Sequence, residues 1–358
     1  MFKLSKNKGK NIIEIFHEVY NLKKKNSDQK IWCYYNCDQN FFPTNVEEIF
    51  EHPKNFIEKY IRLSGKCQII NDLILADKKR NQHSISTFLI GMHLYLNVKI
   101  IKDNIDTKIF NNNIITQTNL TIEFCYYWFL ICLYHDLGYV FEKKPEEILK
   151  TNFFNDLTLN LTHPDLKESK LIPSIITQNY SKYFYYVLIK HNKLEHGIIA
   201  GLLLFMALNQ GYVTKQNNQY DETIVTTDVI KNEIWNDIIW PIIGHNIWYI
   251  NKNDSAQKEK IDNYTKTGLK DLIINEPVIN IKDHPLLYLL CLVDSIEPIK
   301  KITDLDCDNN VFNNKDLMDY KISLSDTKIT FFNHKNVIND LKYWLKFSNT
   351  YSSTTIEI

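Results

Sequence analysis

Five short stretches place ionisable side chains inside sequence that otherwise reads as apolar helix. The nine residues Tyr126 to Tyr134 are all apolar or aromatic, and His135 and Asp136 follow side by side. His83 lies in "RNQHSISTFLIGM", His196 opens the run "EHGIIAGLLLF", His245 interrupts "IIWPIIGHNIWYI", and Asp294 follows "LLYLLCLV". A helix that is apolar on every face is normally buried, and a buried carboxylate without a partner is costly. A divalent cation supplies the charge that Asp136 needs, and neutral imidazole is a good ligand for zinc, iron, manganese, cobalt or nickel. Each residue also has a plainer explanation. His196 or His245 can be a core histidine satisfied by one hydrogen bond, Asp294 can cap a turn in "DSIEP", and His135 and Asp136 can bond to each other. Five unrelated explanations are less economical than one shared metal site.

The other histidines fit such a site less well. His93 lies ten residues after His83, about 80° away around a helix, and is expected to be partly exposed. His191 is about 140° from His196, so both cannot face one centre. His196 is the better choice, because the apolar helix continues from it and Gly197 allows close packing beside it. His17, His52, His163, His284 and His334 sit in polar or terminal settings.

The elements that must position these ligands are helices. "ADKKRNQHSISTFLIGMHLYL" reads as amphipathic, and "IEFCYYWFLICLYHDLG" as a buried helix ended by Gly138. "KLEHGIIAGLLLFMALNQG" ends near Gly211. "TDVIKNEIWNDIIWPIIGHNIWYI" starts at a Thr227/Asp228 cap and is interrupted by Pro241, and "HPLLYLLCLVDSIEP" is a short buried helix closed by Pro298. Upstream, Thr44 and Glu47 form a capping box. Residues 111–118, 215–226, 251–267 and 307–316 read as solvated connectors. "YKISLSDTKITFF" alternates around a Ser-Asp turn and predicts a hairpin, with a short helix over 337–347. The expected organisation is an N-terminal helical segment (1–75), an all-α metal-binding domain (76–300) and a small α+β C-terminal extension (301–358).

Bulk composition narrows the partners. The 358 residues carry 42 Lys+Arg and 42 Asp+Glu, and this balance argues against a protein that coats a polymeric nucleic acid. Seven cysteines contain no CxxC pair; Cys33 and Cys37 lack a matching His or Cys pair for zinc, and Cys125 and Cys132 suit core packing. That usage fits a reducing compartment, and no apolar run reaches the roughly 18 residues of a membrane span. A cytoplasmic protein that does not engage a membrane is expected. Its oligomeric state is not legible.

The order His83, His135-Asp136, His196, His245, Asp294 resembles the HD-domain superfamily of metal-dependent phosphohydrolases. "RNQHS", "YHDLG", "EHG", "IIGH" and "LVDSIEP" carry the resemblance, which covers roughly residues 76–300. It implies a mainly α, HD-domain-like helical bundle with metal held between helices. By that similarity two divalent transition metals (Mn, Fe, Co, Ni or Zn) are bound. His83, His135, Asp136 and Asp294 would hold the first, and Asp136, His196 and His245 the second, with Asp136 bridging. The implied activity is hydrolysis of a phosphate ester or anhydride in a small phosphorylated substrate. "DSIEP" and "EHG" also look like parts of the bacterial diadenosine tetraphosphate hydrolases of this superfamily, and this leans the reading towards nucleotides.

Departures from the pattern bear on the substrate. Many relatives carry Lys after "HDxG", where this chain has Tyr139, a candidate for a substrate hydrogen bond or a packed aromatic. Arg80, Lys143, Lys144 or Lys193 is then needed to meet a phosphate, and Arg80 is the candidate catalytic cation beside Asp136. The "HDxxED" feature of guanosine-tetraphosphate hydrolases is absent. The stretch between Asp136 and His196 is long, and its "PEEILKTNFF" and "SKYFYYVLIK" are candidate helices over the site. Two other functions fit the same ligands: a mixed-valent di-iron oxygenase of the same superfamily, and a non-catalytic nucleotide sensor acting through residues 301–358.

Overall fold

A chain with several long apolar runs and nine glycines in 358 residues buries those runs most simply as packed helices, and the described residues are mostly helical. The computed structural model describes residues 78–110, 124–142, 145–164, 166, 169–217, 228–297 and 321–332, with the short pieces 10–11, 14–15, 341, 345–346 and 355–358. The capping box at Thr44, the Cys33/Cys37 pair, Lys143, Lys144, and most of 1–75 and 301–320 lie outside them. The same holds for most of the short helix expected over 337–347.

The helices in chain order are α1 (Lys78–Asn97), α2 (Lys99–Ile105), α3 (Phe124–Tyr134), α4 (Tyr139–Glu142), α5 (Pro145–Ile148), α6 (Asn152–Asn160), α7 (Ser174–His191), α8 (His196–Asn217), α9 (Asp228–Gly244), α10 (Lys258–Lys266) and α11 (Pro285–Ile296). Five of them form the bundle that matters here: α1 packs on α3, α8 along α9, and α11 against α1 and α9. Their facing residues make one apolar core in which Trp128, Trp240, Tyr127 and Tyr288 are fully buried. Trp128 fastens α3 to α1 by donating its indole N–H to the Phe88 carbonyl at 3.0 Å. Pro285 sits in the first turn of α11, where its missing N–H costs nothing. α7 ends at Asn192, whose left-handed backbone (φ 49°) turns the chain back to begin α8.

Among the described residues there are six short strands: β1 (Lys10–Asn11), β2 (Ile250–Asn251), β3 (Ile273–Ile274), β4 (Lys321–Leu324), β5 (Lys328–Phe332) and β6 (Thr355–Glu357). The expected hairpin is β4–β5, antiparallel, with Ser323 opposite Thr330, and its turn closes when Ser325 donates to the Lys328 carbonyl. The strands belong to a four-stranded antiparallel sheet in the order β1-β4-β5-β6, so an N-terminal strand joins the C-terminal one. Ile322, Ile329 and Ile356 are all buried in the common core. β2 and β3 pair in parallel just beyond the His245 turn.

Several expectations are corrected. Residues 251–267 are not simply a solvated connector, since they contain α10, whose Tyr264 is buried and donates to the Trp248 carbonyl. α8 passes through Gly211 to Asn217, and Pro241 lies inside α9 without ending it; around Pro241, burial of Ile238, Ile239, Trp240, Ile242 and Ile243 outweighs the local penalty. His93 is buried, with Asn97 against its ring and carbonyl. Of the two stretches expected to be helical, "SKYFYYVLIK" lies within α7, and "PEEILKTNFF" is divided between α5 and the start of α6 by a turn at residues 149–151. Among the described residues no single helix is long and apolar enough to cross a membrane.

Candidate metal centre

Most of the site residues sit at helix ends. His83 projects from the first half of α1 and Asp294 from the last turn of α11. His135 and Asp136 do not continue α3, as the sequence suggests; they occupy a turn over 135–138, closed by Leu137 N–H to Tyr134 O and Tyr139 N–H to Asp136 O. His196 is the first residue of α8, and His245 follows the last residue of α9. His135 still donates its backbone N–H to the Ile131 carbonyl at 2.9 Å, so it closes the end of α3 and Asp136 follows in the turn.

Two glycines permit the approach. A Cβ on Gly138 would lie 2.0 Å from the His196 carbonyl oxygen. Gly138 is therefore needed for close backbone contact, and not as a left-handed helix cap; among the described glycines only Gly268 has positive φ. At Gly197 a Cβ would meet the His245 ring and the Ile242 carbonyl at 3.0 Å. This is the close packing expected beside His196.

The six candidate ligands converge as two groups: His83, His135, Asp136 and Asp294, and Asp136, His196 and His245, the ligand atoms of each group lying within 4.8 Å of one another. In the first group His83 Nε2 is 3.1 Å from His135 Nε2, 3.1 Å from Asp294 Oδ1 and 3.3 Å from Asp136 Oδ2. His135 Nε2 is 3.6 Å from Asp136 Oδ1 and from Asp294 Oδ1. In the second group Asp136 Oδ1 is 3.7 Å from His196 Nε2 and 3.9 Å from His245 Nε2. Five of the six are buried, and Asp294 is nearly so.

Three imidazoles are oriented through Nδ1. His83 donates to Glu297 Oε2 at 2.7 Å, His135 to the Cys132 carbonyl at 2.8 Å, and His245 to the Ile242 carbonyl at 2.7 Å. With Nδ1 carrying the hydrogen, each Nε2 presents a lone pair inward, which is the arrangement of metal-binding histidine. His245 Nε2 is buried without a hydrogen-bond partner. Two lone pairs at 3.1 Å repel unless a cation joins them. Donors each about 2.1 Å from one ion sit about 3.0–3.4 Å apart, close to the spacings of the first group. The residues fit a divalent transition metal.

The electrostatics agree. Burial disfavours charge on His83, but Glu297, Asp136 and Asp294 outweigh it and push its pKa well above the ordinary 6.5. His245 is likewise opposed by burial and raised overall by Asp136, Asp294 and the Ile242 carbonyl. The cluster attracts positive charge, and without an ion a proton meets that demand.

The surroundings hold residues that the sequence did not single out. Glu297, fully buried, supports His83. Glu195, also buried, accepts from the Gly197 and Ile198 amides at the start of α8; burial raises its carboxyl pKa although these donors counter it. Asn246 donates to Glu195 Oε1 at 2.6 Å. Glu297 lies in "DSIEP" and Glu195 in "EHG", so an acid flanking each apolar run was the available signal. Tyr139 stacks on His196 with ring centroids 3.7 Å apart, and the Arg80 guanidinium lies over Tyr139 at 5.7 Å. Lys193 instead reaches outward to Glu142 at 3.2 Å. His191 is exposed, and neither His163 nor His284 enters the two groups.

No family model, curated protein or solved structure matches the chain.

Proposed function

We propose that this chain is a metal-dependent phosphohydrolase with a dinuclear centre in an HD-domain-like helical bundle, acting on a phosphate ester or anhydride of a small nucleotide or related metabolite. One observation carries the reading: two buried ligand groups of imidazole and carboxylate share Asp136. The order of those residues along the chain supports the superfamily, and two adjacent ions suit phosphoryl transfer.

His83, His135, Asp136 and Asp294 would hold one ion, and Asp136, His196 and His245 the other. When bound, the ions supply Lewis acidity towards phosphoryl oxygens and acidify a water to near neutral pH. The chain's own residues do the rest. Glu297, the Cys132 carbonyl and the Ile242 carbonyl fix the rings of His83, His135 and His245. The apolar walls from α3, α9 and α11 exclude bulk water and strengthen every charge interaction at the site. Arg80, held over Tyr139 beside His196, would meet the phosphate in place of the lysine common in the superfamily that the sequence resembles.

The test is metal content per chain by mass spectrometry, on protein purified without chelator, alongside release of phosphate from a panel of nucleotides and simple phosphate esters. About two equivalents and phosphate release are expected. Tightly held iron with oxygen consumption and no phosphate release would replace this reading with the oxygenase one.

A further inference from the structure

The fourth imidazole differs from the other three at Nδ1. His83, His135 and His245 each face an acceptor there, whereas His196 Nδ1 faces the side-chain nitrogen of Asn246 at 3.3 Å. Chemistry fixes which end of that amide is which. The Trp248 indole N–H can only donate, and it reaches Asn246 Oδ1 at 3.1 Å. The opposite end lies 2.6 Å from Glu195 Oε1, an oxygen that already accepts from the Gly197 amide at 3.2 Å. The Asn246 NH₂ is therefore a donor to both Glu195 and His196. A hydrogen on His196 Nδ1 would point at a hydrogen of Asn246, and Glu195 Oε1, 3.8 Å from that ring nitrogen, is beyond hydrogen-bond reach.

A neutral histidine that accepts at Nδ1 carries its hydrogen on Nε2, the atom turned towards Asp136. That tautomer cannot ligate through Nε2. We propose that Asn246 is a positioning residue that gates the second metal position: it holds His196 in the Nε2–H form, and loading the second ion requires Nδ1 to take the hydrogen and the Asn246 amide to reverse or withdraw. Reversal breaks the bonds to Trp248 and Glu195, and the second ion is consequently bound more weakly than the first and is the exchangeable one. This inference rests on the dinuclear reading above. The wider spacing of the second group, 3.7 and 3.9 Å against 3.1 to 3.6 Å in the first, agrees with a position not set for an ion.

The experiment uses the full metal-free chain and Mn²⁺ as the probe. Calorimetric titration of wild type is expected to show two steps, the second about 10–100-fold weaker. Asn246→Asp places an acceptor against His196 Nδ1, and the second step is expected to tighten about tenfold with the first unchanged. A second step that weakens in Asn246→Asp, or two equal steps in wild type, overturns the gate while leaving the dinuclear reading intact. No Mn²⁺ binding by wild type sinks both. Should Asn246→Asp fail to fold, ¹H–¹⁵N histidine spectra of metal-free wild type, with His196 assigned through His196→Gln, decide the matter. An Nε2–H signal supports the gate, and an Nδ1–H signal removes it.

Discussion

The two candidate ligand groups share Asp136 but are built differently. The first takes His83 from within α1 and Asp294 from within α11, elements braced by the core on most of their length, and a buried carboxylate, Glu297, aims His83. The second takes its two histidines from opposite helix ends, the start of α8 and the turn after α9, brought together by Gly197. Its ring partners are a carbonyl for His245 and an amide nitrogen for His196. Similar donors thus yield a compact set in one half and a looser one in the other. The atoms behind a ligand, as much as the ligand, decide how firmly a site is set.

The largest expected effect comes from removing what the halves share. Asp136→Ala should take bound metal from about two equivalents to close to none and abolish turnover, because both groups lose a ligand; metal analysis on folded protein checks it. His196→Ala should remove only the second equivalent, and loss of both would break the division into halves.

Gly138→Ala comes next. A Cβ at 2.0 Å from the His196 carbonyl forces α8 and the 135–138 turn apart. A cost of about 1–3 kcal/mol is expected, measured by denaturant unfolding, with metal lost first from the second position. Glu297→Gln addresses the other half. Affinity at the first position should fall about 10–100-fold, with the second little changed, as read by calorimetry.

Acidity separates the halves from the rest of the protein. The folded pKa values of His83 and His245 lie above 6.5. The stabilisation they give the metal-free protein is therefore complete below about pH 6.5 and fades as pH rises through the raised values. Metal-free Tm should fall over that window, whereas the metal-loaded protein, whose imidazoles are neutral, should not follow it. Metal uptake below the raised values should release protons. Scans with and without chelator, and titrations in buffers of different ionisation enthalpy, test both statements.

The smallest effects discriminate the candidate phosphate cations. Arg80→Ala should raise KM for a phosphate ester, while Lys193→Ala, an exposed surface pair with Glu142, should change stability by less than about 1 kcal/mol and leave KM alone. The reverse pattern would assign the phosphate to Lys193 instead.

The chain by itself determined much of this protein. Helical sequence patterns set α1, α3, α8, α9 and α11. Of these, α3, α8 and α11 read as buried because they are apolar on every face, whereas α1 reads as amphipathic and is in fact buried all round over residues 81–94, its Asn81, Gln82, Ser84, Ser86 and Thr87 included. The β4–β5 hairpin was legible in two-residue alternation. The six candidate ligands stood out because charge inside apolar sequence demands a partner. What only the tertiary structure decided lies between elements. The turn at His135–Gly138, the backbone contact that makes Gly138 necessary, the strand lent by Lys10–Asn11 to a C-terminal sheet, and the roles of Glu297 and Asn246 all depend on residues far apart in sequence. α10 escaped notice because a polar, Asn/Lys-rich stretch looks alike as loop or as surface helix, and it is Tyr264, buried against Tyr183 and Tyr186 and bonded to the Trp248 carbonyl, that distinguishes the two. Sequence patterns record which faces are apolar, and it is packing that decides which atoms meet.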